Sequence, residues 1–244
     1  MTEQAMPKVV VVVPTYNERE SLPILIDTLQ SLDMPNLHVL VVDDNSPDGT
    51  GDVADKLALD SAGRIGVLHR TAKDGLGRAY VAGITRALHE GADIVVQMDA
   101  DLSHPASVIP TMVDTLQSTD ASVVVGSRYV TGGSTAADWP WHRKALSVWA
   151  NLYVNAILRL HVKDATAGFK AWRASTLAVI DVASVRSNGY SFQVEMNYRA
   201  LKHRQKIVEV PIRFKERVEG ASKMTLRVQL ESALTPWKLI LRKH

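Results

Sequence analysis

The chain of 244 residues lacks cysteine and lacks any long uninterrupted apolar run. Without cysteine, disulfides and thiolate metal sites are excluded. No window reaches the ~18 consecutive apolar residues that a bilayer-spanning helix needs, so we expect no membrane span. The opening residues, MTEQAMPKVV, do not resemble a secretory leader. These absences favour a cytosolic setting.

A linker rich in proline, glycine or serine is also missing, so one domain is expected. Apolar residues make up 46% of the chain and charged residues 22%, which suffices for a core and argues against disorder. The net charge is only +2, but residues 213–244 hold eight Lys or Arg against three Glu. This basic end indicates either an anionic partner or a solvated tail.

Short apolar runs alternate with segments of helical spacing along the first half of the chain. The strand-like runs are KVVVVVPT, HVLVVDD, IGVLHR, DIVVQMDAD and SVVVGSRY. Such alternation is typical of βαβ units with right-handed crossovers. The sequence therefore predicts an α/β fold with a mostly parallel central sheet and flanking helices.

The segment HVLVVDDNSPDGTGDVAD, residues 38–55, fits two different structures. From Asp44 onward it approximates a calcium-binding loop, but that loop needs a helix on each side, and both Pro47 and the strand-like HVLVV argue against it. Alternatively, Asp43 and Asp44 end a strand, where they either face a ligand crevice or cap the next helix. The pattern alone leaves these two roles open.

The segment VVQMDADLSHP places Asp99 and Asp101 two residues apart at the end of an apolar run. In an extended conformation their carboxylates project to the same side and repel each other unless a cation lies between them. Oxygen ligands without cysteine favour Mg²⁺ or Mn²⁺ over zinc. The alternative is that the pair only ends the strand and caps the helix after Pro105.

Five sequence blocks follow one another along the chain, namely PTYNE, VVDDNSPDGT, GLGRAYVAG, MDADLSHP and VGSRYVTGG. In order and spacing they resemble the family 2 glycosyltransferases, most of all the polyprenol phosphate mannose synthases, and the similarity extends from about residue 8 to residue 224. The resemblance implies a nucleotide-diphospho-sugar transferase (Rossmann-like) fold and one catalytic domain over residues 1–224. It also implies inverting transfer of mannose from GDP-mannose to a polyprenyl phosphate.

The same resemblance implies roles for individual residues on the donor side. Residues expected around the guanosine and ribose are Pro14, Tyr16, Glu18 and Asp43. Asp99 and Asp101 are expected to hold Mg²⁺ or Mn²⁺ on the donor diphosphate, which makes Asp101 a catalytic residue. In the segment RVEGASKM, Arg217 and Lys223 are expected to reach the phosphates. Ser103 stands where close relatives often have Gln, so direct coordination there is in doubt and a water is the alternative.

The acceptor side is expected in the second half of the chain. In HRKALSVWANLYVNAILRLH, polar residues recur every four positions, namely Arg143, Ser147, Asn151, Asn155 and Arg159. As a helix, this segment carries a polar ridge on an otherwise apolar cylinder, or it is an ordinary buried helix. The resemblance implies that Arg128, Arg143 and Ser147 bind the acceptor phosphate and that both arginines are catalytic. In DATAGFKAWR, Ala167 replaces the usual Ser.

Residues 225–244 are predicted to form a separate amphipathic basic helix, kinked at Pro236. Its apolar and cationic faces fit peripheral attachment to the cytoplasmic face of a membrane, directly or through a membrane partner protein; a helix packed on the body of the protein is the alternative. No nucleic acid partner is expected.

One alternative function is that of the same fold with another donor, such as UDP-glucose, or with a polysaccharide acceptor. A calcium-binding module is a more remote alternative. Glu195 is expected to orient its neighbours rather than act as a general base.

Overall fold

A computed structural model describes residues 6–136, 139–215 and 226–241 of the protein. The strands are β1 (Val9–Thr15), β2 (Leu37–Asp43), β3 (Ile65–His69), β4 (Ile94–Gln97), β5 (Val123–Ser127), β6 (Lys170–Arg173) and β7 (Ile207–Pro211). The helices are α1 (Ser21–Gln30), α2 (Thr50–Leu59), α3 (Leu76–His89), α4 (Ile109–Ser118), α5 (Trp141–Leu158), α6 (Ala174–Val179), α7 (Gly189–Lys202) and α8 (Leu226–Leu241). Two short 3₁₀ turns span Ala106–Val108 and Val182–Ser184.

The seven strands form one sheet in the order β3-β2-β1-β4-β6-β5-β7. Every neighbouring pair is parallel except for β6, which runs antiparallel to both β4 and β5. The predicted mostly parallel sheet is therefore confirmed, while the antiparallel β6 was not foreseen. Strand order reverses beside β1, because β2 lies on one side of it and β4 on the other. In parallel sheets, ligands bind at the carboxyl ends of the strands beside such a reversal.

Helices cover both faces of the sheet, which explains why β1 is a continuous run of valines. Val11 belongs to the apolar cluster shared with α1 and α4, whereas Val12 belongs to the cluster shared with α3 and α7. Alternate side chains of a strand point to opposite faces, so a strand buried on both faces has no polar position. Packing on both faces of the sheet holds the carboxyl ends of β1, β2 and β4 in fixed positions.

The helix α5 turns the middle of its polar ridge, Asn151 and Asn155, toward the protein. Asn151 is buried, and its Oδ1 accepts a hydrogen bond from the backbone N–H of Thr166 at 3.2 Å. The side chain of Asn155 bonds both the N–H and the carbonyl of Val162, at 3.2 and 2.7 Å. Several apolar side chains of α5 are exposed instead. The interpretation of α5 as an ordinary buried helix is therefore wrong, because one apolar side of the helix is exposed.

The C-terminal helix α8 packs against the second half of the protein. Leu239 is buried in a cluster with Val154 and Leu158 of α5 and with Tyr198 of α7. The hydroxyls of Thr235 and Ser191 are 2.7 Å apart. Among the residues that the structure describes, no helix has the length and apolar character to cross a membrane.

Candidate active site

Asp43, at the end of β2, is buried and bonded to the turn around it. Its Oδ1 accepts hydrogen bonds from Oγ1 of Thr15 at 3.0 Å and from Oγ of Ser46 at 2.6 Å, and its Oδ2 accepts from the backbone N–H of Ser46 at 3.0 Å. Asp43 thus stabilises the turn after β2, which is one of the two roles that the sequence left open. These bonds tie the end of β1 to the turn after β2.

Asp44 pairs with Arg70, which follows β3, and the sequence reasoning did not find this pair. Nη1 of Arg70 lies 2.5 Å from Oδ1 of Asp44, and both side chains are largely shielded from solvent. Burial raises the pKa of Asp44 above its ordinary value, while the guanidinium of Arg70 acts in the opposite direction. Because β2 directly precedes this turn, the calcium-loop interpretation of the segment is wrong.

The other predicted nucleotide residues meet at the carboxyl end of β1. Pro14 lies within β1, and Tyr16 directly follows the strand. The ammonium of Lys73, from the turn before α3, lies 3.4 Å from the centroid of the Tyr16 ring. The backbone N–H of Glu18 donates to Thr50 Oγ1 at 3.0 Å, which joins this segment to the start of α2.

The structure thus places Pro14, Tyr16, Glu18 and Asp43 at or just after the carboxyl ends of β1 and β2. Arg217 and Lys223, which were predicted to reach the donor phosphates, lie outside the described residues.

Asp99 and Asp101 lie in the turn that follows β4. The strand ends at Gln97, so the expectation that both carboxylates project from an extended strand is wrong. Oδ1 of Asp99 accepts a hydrogen bond from the Tyr80 hydroxyl at 2.7 Å, and the Asp99 N–H donates to Nδ1 of His104 at 3.2 Å. Burial raises the pKa of Tyr80 well above its ordinary value, and the charge of Asp99 adds to this, so Tyr80 stays a donor.

Ser103 supports Asp101 through two hydrogen bonds. Its backbone N–H and its hydroxyl both donate to Oδ1 of Asp101, at 3.1 and 2.6 Å. The sequence left it in doubt whether the Ser103 hydroxyl coordinates a metal. In the structure this hydroxyl is bonded to the carboxylate of Asp101. Ser103 orients Asp101.

Gly168 lies beside one of the two carboxylates, that of Asp99. A Cβ atom at Gly168 would lie 3.5 Å from Oδ2 of Asp99, so glycine keeps the surroundings of that oxygen open. Within the described ranges, no group of three or more His, Cys, Asp or Glu side chains could hold a metal ion. A two-carboxylate site of this kind fits Mg²⁺ or Mn²⁺, which take further oxygens from phosphates and water.

The predicted acceptor residue Arg128 is held by Asp164, which the sequence reasoning missed. Nε and Nη2 of Arg128 donate to the two carboxylate oxygens of Asp164 at 2.8 and 2.6 Å, and the backbone N–H of Arg128 donates to the same carboxylate at 3.0 Å. Asp164 is fully buried. A two-point pair of this type fixes the plane of a guanidinium group. Asp164 belongs to the DATAGF block, but its position in the sequence gives no sign that it pairs with Arg128.

The three predicted acceptor residues gather around two aromatic side chains. The guanidinium carbon of Arg143 lies 4.1 Å from the ring centroid of Trp139, and that of Arg128 lies 5.9 Å from the same ring. The hydroxyl of Tyr129 donates to Oγ of Ser147 at 2.7 Å. The buried indole N–H of Trp139 has no hydrogen-bond partner among the described residues. Two guanidinium groups thus lie beside one aromatic ring, an arrangement that suits a phosphate.

A row of aromatic rings joins this cationic cluster to the acidic pair. His104 stacks on Phe169 with centroids 5.2 Å apart and meets the edge of Phe214 at 5.9 Å. Phe214 in turn contacts Trp139 at 5.7 Å. Since His104 also accepts from the Asp99 backbone, this row of contacts connects the turn of the two carboxylates to the arginines.

Glu195 on α7 is buried and fully engaged by neighbouring side chains. Nε and Nη2 of Arg199 donate to its Oε1 at 3.0 and 2.7 Å, and the hydroxyl of Ser187 donates to its Oε2. Arg199 also bonds the backbone carbonyls of Ile180 and Asp181 at 3.1 Å. These contacts match the orienting role expected for Glu195.

Lys170 on β6 is a buried cation that the sequence reasoning also overlooked. Its ammonium donates to the backbone carbonyl of Gln193 at 3.1 Å. Burial lowers the pKa of Lys170 from 10.5 to about 7, while the charge of Asp164 opposes this shift. Asp164, which holds Arg128, therefore also interacts electrostatically with the side chain of Lys170.

Comparison with known proteins decides the family. The model of Glycosyl transferase family 2 matches residues 10–180. The chain belongs to this family. The resemblance drawn from the five sequence blocks is thereby confirmed.

Two curated relatives of this family 2 glycosyltransferase are 45% identical to it. One is the polyprenol monophosphomannose synthase of Mycolicibacterium smegmatis, aligned over 92% of this chain and 83% of the relative. The other is the undecaprenyl-phosphate mannosyltransferase of Micrococcus luteus, aligned over 96% of each chain.

Solved structures share the fold at lower identity. Glucosyl-3-phosphoglycerate synthase from Mycobacterium tuberculosis, in complex with Mn²⁺, UDP-glucose and phosphoglyceric acid, has a TM-score of 0.71 at 18% identity and covers 98% of this chain and 82% of its own. A mannosyltransferase from Pyrobaculum calidifontis, in complex with GDP-Man and Mn²⁺, has a TM-score of 0.65 at 19% identity and covers 99% and 66%. The fold is that of nucleotide-sugar transferases.

Proposed function

We propose that this family 2 glycosyltransferase transfers mannose from GDP-mannose to a polyprenyl phosphate. The observation that carries the proposal is the position of Arg128 and Arg143 beside the ring of Trp139, which a row of ring contacts connects to the turn that holds Asp99 and Asp101. An acidic pair suits a metal-bound diphosphate donor, and a pair of arginines suits an anionic acceptor. The names of both 45%-identical relatives support this choice of substrates.

The donor nucleotide is proposed to lie in the crevice between β1 and β2. Pro14, Tyr16 and Glu18 would line the guanosine, and Asp43 would support the ribose end through its turn. Because this crevice lies beside the reversal of strand order, its position agrees with the general rule for open parallel sheets. Arg217 and Lys223 would add positive charge to the phosphates.

Asp99 and Asp101 are the proposed ligands of Mg²⁺ or Mn²⁺. When bound, such an ion neutralises negative charge that develops on the departing GDP. The hydroxyl of Tyr80 and the two donors of Ser103 already hold one oxygen of each carboxylate. These bonds leave the chain with oriented carboxylates and little rearrangement to make during the reaction.

The acceptor phosphate is proposed to bind at Arg128, Arg143 and Ser147. One phosphate oxygen forms a bond to the anomeric carbon while the bond from that carbon to the GDP oxygen breaks, and the electron pair leaves with GDP. Attack from the opposite side inverts the sugar carbon. A phosphate monoester has a second pKa of ~6, so its oxygen is already a nucleophile at neutral pH and needs no general base. The protein has only to align it and offset charge repulsion.

We further propose that the enzyme works as a peripheral protein at the cytoplasmic face of a membrane. The polyprenyl chain of the acceptor stays in lipid, while GDP-mannose is water-soluble. The cationic residues among residues 213–244 support contact with anionic lipid.

A donor panel tests the proposed function. Purified protein is mixed with detergent-solubilised polyprenyl phosphate, a divalent cation and radiolabelled GDP-mannose, GDP-glucose or UDP-glucose. We expect labelled lipid from GDP-mannose and at least tenfold less from the other donors. Equal or greater transfer from UDP-glucose would mean that the donor has been assigned wrongly.

A further inference from the structure

An exposed apolar surface is shared by α5 and α8, and we refer to it as the α5–α8 face. Its large side chains are Trp141, Leu146, Val148, Trp149 and Leu152 of α5 and Leu234, Trp237, Ile240 and Leu241 of α8. These nine make up most of the fourteen large apolar side chains that are exposed among the described residues. An apolar surface concentrated in this way marks an interaction site, whereas scattered apolar side chains do not.

Contacts between the two helices make this a single surface. The indole N–H of Trp237 donates to the hydroxyl of Tyr153 at 3.0 Å, and the ring of Tyr153 stacks on Trp149 at 5.2 Å. Below them, Leu239 and Val154 share a buried cluster. The aromatic side chains of both helices are therefore held side by side.

We propose that the α5–α8 face docks on the surface of an anionic lipid bilayer. The exposed fractions of Trp141, Trp149 and Trp237 are 80%, 56% and 52%. Tryptophan concentrates at the boundary between lipid and water, because its ring is apolar and its N–H is polar. The helices lie along the surface with these rings among the headgroups, since neither spans a bilayer.

The charges around the face complement an anionic surface. Within α5, Arg143 and Lys144 are the charged residues, and no carboxylate is present. The helix α8 adds Lys238, whose side chain is exposed. Each basic residue near an anionic leaflet adds to binding. Cations beside apolar side chains are the combination that a peripheral membrane helix requires.

The inference rests on the proposed function and explains how the acceptor site can reach a lipid-linked phosphate. The helix α5 carries the acceptor residues Arg143 and Ser147 as well as the exposed Trp149 and Leu152. A helix with its side chains is only ~10–12 Å across, so docking brings the acceptor site to the level of the headgroups. A polyprenyl phosphate can then present its phosphate to the protein while its hydrocarbon chain remains in the bilayer.

A matched pair of substitutions tests the docking. Leu152→Glu places a carboxylate on the face, whereas Leu59→Glu makes the same change at an exposed leucine of α2. Both leucines are exposed, by 65% and 85%, so circular dichroism is expected to show a native fold for both variants. Truncation of α8 is less informative, because it would also uncover the buried cluster around Leu239.

Co-sedimentation uses vesicles of phosphatidylcholine and phosphatidylglycerol. We expect Leu152→Glu to weaken vesicle binding about tenfold or more, because an apolar contact is replaced by a charge that anionic lipid repels. The Leu59→Glu variant should bind like wild type. Equal binding by Leu152→Glu and wild type would overturn the inference. So would a change from dimer to monomer in Leu152→Glu with vesicle binding intact, since the face would then join two copies of the chain.

Transfer assays separate this inference from the proposed function. With polyprenyl phosphate in vesicles, Leu152→Glu should lose most of its transfer rate. With a short-chain, water-soluble prenyl phosphate, it should match wild type. Failure of wild type with both acceptors would contradict the proposed function itself. Normal transfer by Leu152→Glu to the vesicle-bound acceptor would contradict only the docking.

Discussion

Arg128 and Asp164 form a two-point ion pair, with Nε and Nη2 of the guanidinium 2.8 and 2.6 Å from the carboxylate oxygens. The backbone N–H of Arg128 donates to the same carboxylate, and Thr166 Oγ1 accepts from Nη2 at 3.1 Å. The plane of the guanidinium is therefore fixed before any acceptor binds. Asp164 acts through Arg128 as a positioning residue.

Substitution of Asp164 tests that role. Asp164→Asn keeps the shape but removes the charge, so Arg128 loses its fixed orientation. We expect the KM for polyprenyl phosphate to rise by roughly 10–100-fold, in line with the loss of about 1.4–3 kcal/mol of charge-assisted hydrogen bonding. Calorimetry should show unchanged GDP affinity. A folded variant with normal acceptor KM, or one that loses GDP binding instead, would contradict the assignment.

The proposed metal ligands are tested by Asp101→Asn. The substitution keeps the side-chain volume but removes an anionic oxygen, so transfer should fall by roughly 10²-fold or more while the fold persists. The metal dependence of GDP binding should weaken at the same time. Asp114→Asn, at an exposed position on α4, serves as the control and should behave like wild type. Near-normal transfer with unchanged metal dependence in Asp101→Asn would exclude this metal site.

Glu195 and Arg143 should respond in opposite ways to substitution. Glu195→Gln breaks the buried pair with Arg199, so the melting temperature should fall, corresponding to about 3–5 kcal/mol. Below its melting temperature the variant should keep a substantial fraction of the transfer rate, since no general base is needed. Arg143→Ala should lose far more activity with little change in stability. A stable Glu195→Gln protein that binds GDP-mannose yet loses ~10²-fold in rate would show that a base is required.

Lys170 should give the protein a pH-dependent stability. Its folded-state pKa is lowered from 10.5 to about 7 by burial. Between these values the unfolded chain holds a proton that the folded chain has released, so stability rises with pH through this window. Below about pH 7 the cost of burying the charged lysine is fully present.

Urea unfolding of wild type and Lys170→Met near pH 7 and about pH 10 isolates this effect, because other titrating groups are common to both proteins. The stability of wild type should improve relative to the variant at the higher pH. A constant difference between the two proteins would show that Lys170 titrates normally.

Much of the sheet could be predicted from sequence, because buried parallel strands leave a direct trace. The runs that became β1 and β2 are apolar at nearly every position, and each is followed by a segment of helical spacing. The four-residue β6 leaves no such trace. Its KAWR sequence contains a lysine and an arginine, and only the pairing with β4 and β5 makes it a strand. The orientation of α5 was equally hidden, since spacing defines a polar ridge but not which side faces the protein.

The sequence predicted site residues whose own side-chain chemistry indicates a role. It did not predict residues whose role depends on a contact with another residue. The acidic pair and the arginines were found as side chains suited to cations and phosphates. The pairs Tyr80–Asp99, Arg70–Asp44 and Asp164–Arg128 connect residues 19, 26 and 36 positions apart. Their contacts arise only when the fold brings these distant segments of the chain together.

The most direct test of the account compares polyprenyl phosphate with polyprenol as acceptors of labelled mannose from GDP-mannose. If an already ionised phosphate is the nucleophile and the arginines are its receptors, then the phosphate should be mannosylated and the alcohol should not. Mannosylation of polyprenol at a comparable rate would contradict the account, because an alcohol needs a general base. No transfer to polyprenyl phosphate by folded protein with its metal and GDP-mannose bound would contradict it as well.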